Sequence, residues 1–237
     1  MEASVARTRS PAPPGPPAGA VAVAGKRPRG RPRKTVQDRD DGNRRQEVLR
    51  SAAKLFRRKG FHATSTRDIA AAAGMRSGSP FYHFKSKGAL LYAVMEEGMR
   101  VAIARQERLL ADLLESARPG ESAPDAAGRL RLLIRNHFDI LLGPGSDFIP
   151  VMLYEARSIT ARQRALLAQL QSGYEAPWAP VLQALCACGR LRTDVKLARL
   201  LVFGALNWSV QWYDRRKGAS LDELTDAAMH LFLGEPQ

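Results

Sequence analysis

The apolar positions of the chain follow a helical period from about Asn43 onward. Four of them recur at i, i+4, i+7 and i+8, on one face of an amphipathic helix: Val48, Ala52, Leu55 and Phe56. Gly60 suits the end of this helix, because glycine adopts the left-handed conformation there without steric cost. No stretch alternates apolar and polar residues for long enough to predict a strand. The pattern therefore predicts an all-α protein.

Two short helices are predicted directly after the first. Ser65 and Asp68 have the spacing of a capping box that starts the second helix, and Gly74 ends it. The third helix carries the run 80–84, which begins with proline. Because proline has no N–H to donate, it belongs in the first turn, so this helix begins no earlier than about Ser77. Two short helices joined by a glycine turn are typical of a helix-turn-helix, whose second helix enters the major groove of DNA.

The rest of the chain is predicted as helices that are separated by glycine and proline. These helices span 87–116, 125–142, 147–156, 161–188, 194–214 and 220–233. The segment 1–41 is rich in proline and poor in apolar bulk, so we expect it to be disordered. The predicted organisation is a tail (1–41), a three-helix helix-turn-helix domain (42–88) and a helical domain (89–237).

Charge is distributed unevenly between these parts. The first 88 residues contain 20 lysines and arginines and 6 acidic residues, which accounts for the whole net charge of +14. Residues 89–237 contain 17 basic and 17 acidic residues. A basic part attached to a neutral part indicates that the first binds a polyanion. No run of 18 apolar residues occurs, so we expect a cytoplasmic protein without a membrane span.

The run 45–87 resembles the N-terminal domain of the tetracycline-repressor (TetR) family. It shares the A-x-x-L-F helix, the Gly60–Phe61 pair, T-S-T-R-D-I-A and F-Y-H-F-K-S-K, in the order and spacing of the family. The resemblance implies a regulator whose partner is double-stranded DNA. The residues that it implies as DNA contacts are Ser65, Thr66, Arg67, Arg76, Ser77, Gly78, Ser79, Phe81, Tyr82, His83, Lys85 and Lys87.

These residues have different expected roles. The start of the second helix, Lys85 and Lys87 would contact phosphates, whereas 77–83 would form the recognition helix. Tyr82 and His83 would approach the backbone or the base edges. Four apolar residues suit the core of the small domain better than a DNA contact: Ile69, Ala73, Phe81 and Phe84.

The tail carries a basic motif at 26–34. Six of its nine residues are cations, and its centre, P-R-G-R-P, resembles an AT-hook. Prolines keep the strand extended, and Gly30 would let the backbone enter a narrow A·T-rich minor groove beside Arg29, Arg31 and Arg33. The alternative is a basic arm that adds salt-sensitive affinity without reading sequence. Both interpretations stay open.

The neutral helical domain is expected to form a homodimer and to bind a small effector. The resemblance implies a four-helix interface that uses the helices near 198–213 and 221–233. The segment 206–208 followed by Trp212 and Tyr213 resembles a subgroup that senses acyl-CoA thioesters. The candidate pocket residues, each of which also suits ordinary core, are Met95, Met99, Ile103, Phe138, Leu142, Met152, Tyr174, Trp178 and Asn207.

These features predict a repressor that leaves a palindromic operator when an effector binds. Activation is the alternative sign of regulation. The competing class is an architectural protein that binds A·T-rich DNA through the tail, which gives the neutral domain no role. An enzyme is not expected, because the chain has no glycine-rich phosphate loop, nucleophile elbow or metal cluster. Cys186 and Cys188 alone form no zinc signature, so neither a metal nor a cofactor is expected.

Overall fold

The computed structural model describes residues 36–75, 82–115, 124–216 and 218–234, and for 36–41 and Leu114 it describes the backbone only. These parts of the chain contain helices and no strand, which confirms the all-α prediction. A 3₁₀ turn, Ala156–Ser158, directly follows α5. The α-helices are α1 (Val36–Lys59), α2 (Thr66–Ala72), α3 (Lys87–Glu115), α4 (Ala126–Leu142), α5 (Phe148–Glu155), α6 (Ala161–Glu175), α7 (Trp178–Ala187), α8 (Val195–Trp212) and α9 (Leu221–Leu233).

The helix α2 begins where the sequence predicted. The backbone N–H of Asp68 donates to the Ser65 hydroxyl (3.1 Å), and the Ser65 N–H donates to the Asp68 carboxylate (3.0 Å). These hydrogen bonds lower the pKa of Asp68. Capping boxes of the same kind start α6, with Thr160 and Gln163, and α9, with Ser220 and Glu223. Side chains of the local sequence therefore satisfy the first N–H groups of three helices.

Two predicted helix boundaries are wrong. Helix α1 begins at Val36 and not near Asn43, so 36–41 are helical and do not belong to a disordered tail. This segment contains neither proline nor glycine to oppose a helix. The predicted helix 161–188 is broken between α6 and α7, because Pro177 lacks the N–H that would continue α6. Residues 1–35, with the AT-hook-like motif, lie outside the described residues.

The long helix α3 joins the N-terminal helices to the rest of the molecule. It packs against α1, α5 and α6. Leu90, Val94 and Met95 of α3 belong to the same buried cluster as Val48 and Phe56 of α1. The N-terminal helices and the remaining helices therefore share one hydrophobic core. No helix of the described ranges is long and apolar enough to cross a membrane.

The close packing of α3 on α5 depends on Gly98. A Cβ atom at this position would lie 2.7 Å from the Cβ of Phe148 and 3.3 Å from the Cδ1 of Ile149. Both distances are shorter than an ordinary contact between carbon atoms. The absence of a side chain at Gly98 thus allows the backbones of α3 and α5 to approach.

We expect Gly98→Ala to lower the free energy of unfolding by about 1–3 kcal/mol, because the added methyl group would overpack the α3–α5 contact. The matched control is Gly173→Ala, inside α6, where nothing lies within 4 Å of an added Cβ. That substitution should raise stability by about 0.5–1 kcal/mol. Urea unfolding at one protomer concentration measures both changes. An unchanged Gly98→Ala variant would contradict the tight packing.

Candidate nucleic-acid interface and ligand cavity

Lys87 at the start of α3 holds the turn that joins α1 to α2. Its ammonium donates to the carbonyl oxygens of Phe61 (2.9 Å) and Thr64 (2.9 Å), and it lies 3.5 Å from that of His62. It also lies 4.4 Å from the ring centroid of Phe61. These contacts use the three donors of the ammonium group. The carbonyls that converge on Lys87 give it a structural role in the turn, and its predicted phosphate contact stays a prediction.

The start of α2 presents one exposed cation. Arg67 is exposed, Thr66 is half-buried, and the hydroxyl of Ser65 forms the helix cap. Next to them, Lys59 and Asp68 form a weak, exposed ion pair at 3.9 Å. Phosphate contacts by Ser65, Thr66 and Arg67 stay a prediction.

The aromatic motif after residue 81 is divided between surface and core. Tyr82 is 78% exposed, and its ring packs edge-on against His83 at 5.0 Å between centroids. Lys85 is exposed. Phe84 is buried, and the guanidinium of Arg45 lies 5.2 Å from its ring centroid. Phe84 therefore anchors the motif while Tyr82 and Lys85 face solvent.

The first part of the predicted recognition helix lies outside the described residues. Five of the predicted DNA contacts fall there: Arg76, Ser77, Gly78, Ser79 and Phe81. Of the four residues that were assigned to the core, Ile69 and Phe84 are buried and Ala73 is half-buried.

Polar contacts tie the N-terminal helices to both ends of α5. Arg57 of α1 donates to the carboxylate of Asp147 (3.1 Å) and to the carbonyl of Ser146 (3.2 Å), just before α5 begins. The backbone N–H of Phe61 donates to the carboxylate of Glu155, the last residue of α5, at 2.8 Å. A displacement of α5 would therefore act on both α1 and the α1–α2 turn.

A small cavity lies among α3, α4, α5, α6 and α8. Its volume is 30 Å³, about the space that one water molecule occupies in the liquid. Helices α3 and α5 contribute only apolar side chains to it, and all polar side chains come from α4, α6 and α8. The apolar lining residues are Met99, Ala102, Ile140, Ile149, Met152, Leu153 and Phe203. The polar ones are His137, Gln171, Tyr174, Glu175 and Asn207.

The predicted pocket residues separate into two groups. Those that line the cavity are Met99, Met152, Tyr174 and Asn207. Those that do not are Met95, Ile103, Phe138, Leu142 and Trp178, which belong to the core or pack against it. Helical periodicity identifies an inward face, but it does not distinguish cavity from close-packed core. A role of any of these residues in effector binding stays a prediction.

His137 is the centre of a buried hydrogen-bonded chain. Its Nδ1 lies 2.9 Å from the hydroxyl oxygen of Tyr174, and its Nε2 lies 3.2 Å from the Oδ1 of Asn207. Burial lowers the pKa of His137 to about 4, so the ring is neutral near pH 7. Because Oδ1 can only accept, Nε2 carries the hydrogen and Nδ1 accepts from the hydroxyl. Tyr174 and Asn207 were predicted as pocket residues, but their link through His137 could not be predicted, since the three residues lie on separate helices.

A buried ion pair stands beside this chain. Glu175 is only 9% exposed and pairs with Arg199 of α8, while the Nε2 of Gln171 donates to its other carboxylate oxygen at 3.0 Å. A buried carboxylate is costly unless it is paired, and these two partners compensate it. Sequence analysis missed Glu175, because a single charge on an amphipathic helix ordinarily faces solvent. Within the described residues, no group of three or more His, Cys, Asp or Glu side chains is arranged to hold a metal ion.

The chain is similar to known proteins along most of its length. The family model described as "Bacterial regulatory proteins, tetR family" matches residues 48–94, and "Tetracyclin repressor-like, C-terminal domain" matches 123–235. The chain is 29% identical to the HTH-type transcriptional repressor KstR2 of Rhodococcus jostii (strain RHA1), over 79% of this chain and 87% of that protein.

Two solved structures extend the comparison. One is superantigen PfiT, with 36% identity over 81% of this chain and 97% of that chain, and a TM-score of 0.62. The other is the transcriptional regulator FadR from Bacillus subtilis in complex with stearoyl-CoA. It has 25% identity over 81% of this chain and 99% of that chain, and a TM-score of 0.61.

We expect Lys87→Met to lower the free energy of unfolding by about 1–2 kcal/mol, because three turn carbonyls lose their charged donor. The matched control, Lys85→Met, removes an exposed lysine and should change stability by less than about 0.5 kcal/mol. If Lys85 contacts phosphate, its loss should also reduce the salt slope of DNA binding by about 1. Urea unfolding and DNA titration over a salt series distinguish the two roles. Equal stability of the two variants would contradict the role of Lys87 in the turn.

Proposed function

The chain belongs to the TetR family of bacterial regulatory proteins, and we propose that its effector is an acyl-CoA thioester. The protein is a ligand-responsive, DNA-binding transcriptional regulator, because the two family models cover its helix-turn-helix and its helical domain. The relative from Rhodococcus jostii is a transcriptional repressor, which favours repression over activation. The comparisons lend no support to an architectural protein.

The lining of the cavity supports an acyl chain as part of the effector. Helices α3 and α5 offer five apolar side chains, two of which are the flexible Met99 and Met152. FadR from Bacillus subtilis, 25% identical, has been solved with stearoyl-CoA. A long acyl chain is far larger than the 30 Å³ that the helices leave. Binding therefore requires lining side chains or helices to move.

The observation that carries this mechanism is the position of α5. Ile149, Met152 and Leu153 line the cavity, whereas Asp147 and Glu155 hold α1 and the α1–α2 turn. An acyl chain that displaces α5 would shift the helix-turn-helix through these polar contacts. The effector then lowers operator affinity by its preference for the displaced state.

We propose a homodimer that uses α8 and α9. On these helices, the exposed large apolar residues are Leu197, Leu200, Leu201, Trp208, Trp212 and Leu231. Exposed apolar residues of this size on two helices that both pack on α4 favour association with a second copy. Helix α9 is fixed to α4 by the ion pairs Arg131–Asp226 and Arg135–Asp222, both at 2.7 Å. A two-fold dimer would separate its two DNA-binding domains by about one turn of DNA, roughly 34–36 Å.

A regulator of chromosomal DNA acts where the chromosome is. We propose that the protein acts in the cytoplasm, associated with the nucleoid through its operator, and that it catalyses no reaction. The basic motif around Arg29 and Arg31 would add affinity for DNA beside the operator.

Leu201→Lys should convert the dimer to a monomer, because a buried unpaired charge would oppose an apolar interface. Leu201 is 65% exposed in the single chain, so the substitution should leave the fold of the monomer intact. Leu166→Lys is the matched control, on α6 and 41% exposed. Sedimentation equilibrium measures the mass of each variant. A dimeric Leu201→Lys protein, or a monomeric wild type, would contradict the interface.

Acyl-CoA should release the protein from its operator. Footprinting upstream of its own gene is expected to show a protected palindrome that stearoyl-CoA, or a shorter acyl-CoA, opens. Operator affinity should fall by about 5–150-fold. Protection that no acyl-CoA changes would contradict the proposed effector, and diffuse protection of A·T-rich DNA would contradict operator recognition.

Glu155→Gln should weaken this response, because it weakens the charge-assisted hydrogen bond between α5 and the α1–α2 turn. Operator affinity without effector and acyl-CoA affinity should stay within about threefold of wild type, while the release factor falls. The control Glu107→Gln removes an exposed carboxylate of α3 and should respond as wild type does. Fluorescence anisotropy of a labelled operator measures all three quantities. An unchanged release factor would show that α5 does not transmit the signal through Glu155.

A further inference from the structure

The polar lining of the cavity is not explained by a plain hydrocarbon effector. His137 is 4% exposed and Tyr174 is 5% exposed, and both line the space together with Asn207. A saturated chain in this space would cover the amide N–H groups of Asn207 without offering them a hydrogen bond, which costs free energy. The lining is therefore built for an occupant that is apolar on one side and polar on the other.

The hydrogen-bonded chain has a fixed direction. The Tyr174 hydroxyl donates its one hydrogen to Nδ1 of His137, and the ring donates its one hydrogen from Nε2 to Oδ1 of Asn207. The hydrogens of the first two members are thereby used inside the chain. The Nδ2 group of Asn207, at the end of the chain, has two hydrogens that no acceptor among the described residues takes up.

The other polar residues of the lining are already engaged with one another. The carboxylate of Glu175 accepts from Arg199 at one oxygen and from Gln171 at the other. Gln171 is exposed and uses one amide hydrogen on Glu175, whereas neither amide hydrogen of the half-buried Asn207 has a partner among the described residues. A donor in this position binds an acceptor oxygen and gains nothing from a methylene group.

We propose that Asn207 recognises a carbonyl oxygen on the acyl group of the effector. The regulator then responds to oxo-acyl thioesters in preference to saturated acyl thioesters of the same length. This inference rests on the proposed function, since it takes an acyl-CoA as the effector. We assign the oxygen to the acyl part, because placing the highly charged CoA group beside the buried His137 and Tyr174 would be costly.

The test compares decanoyl-CoA with oxodecanoyl-CoA isomers that carry one keto group at successive carbons. Isothermal titration calorimetry with the full-length protein should find at least one isomer that binds about 5–10-fold more tightly than decanoyl-CoA, the factor that corresponds to one hydrogen bond. Asn207→Leu, of similar size, should remove this preference and keep the affinity for decanoyl-CoA within about threefold. Gln169→Leu is the matched control, since it removes an exposed amide of α6 that does not line the cavity, and it should keep the preference for the oxo isomer.

The outcomes separate this inference from the proposed function. If wild type binds decanoyl-CoA as tightly as every oxo isomer, the inference is overturned and the acyl-CoA effector stands. If Asn207→Leu keeps the preference for the oxo isomer, the assignment to Asn207 is wrong. If no acyl-CoA binds wild type, the effector class is wrong and the inference falls with it. The wild-type comparison decides the matter even where Asn207→Leu fails to fold.

Discussion

The proposed regulatory mechanism depends on one physical constraint, the hydrogen bonds that hold both ends of helix α5. Arg57 holds the residue before its first turn, and the N–H of Phe61 holds its last residue. Between these two ends, the same helix lines the cavity and packs tightly on α3 at Gly98. A short helix that is fixed at both ends moves as a unit. A displacement of α5 at Met152 would therefore also displace the α1–α2 turn, through the hydrogen bond between Glu155 and Phe61.

The cavity beside α5 is too small for an acyl chain, so the proposed effector cannot bind without a change in packing. A space of 30 Å³ accepts a water molecule but no acyl chain, so the effector and the observed packing exclude each other. Close-packed interiors do not yield gradually, and they change between discrete arrangements. The observed packing around the cavity is one such arrangement, and in the proposed mechanism the effector stabilises another.

Local features of the structure could be predicted from the sequence, and features that need a distant partner could not. The capping box of Ser65 and Asp68 and the glycine ends of α1 and α2 follow from nearby residues. The contacts of Lys87 depend on carbonyls more than 20 positions away, so neither the local sequence nor the family resemblance, which implied a phosphate contact, could predict them. Pro177 was a local signal for the break between α6 and α7. The prediction of one helix over 161–188 did not take this signal into account.

The helix α8 has two faces that serve different neighbours. Phe203 and Asn207 line the cavity, whereas Leu201 and Trp208, on the same helix, present an exposed apolar surface. If two copies join through this surface, the helix that lines each cavity also packs against the other copy. Occupancy of one site then alters the helix against which the other copy packs. The two sites of a dimer would then not bind effector independently. The transcriptional response to effector concentration would depart from the hyperbola that independent sites give.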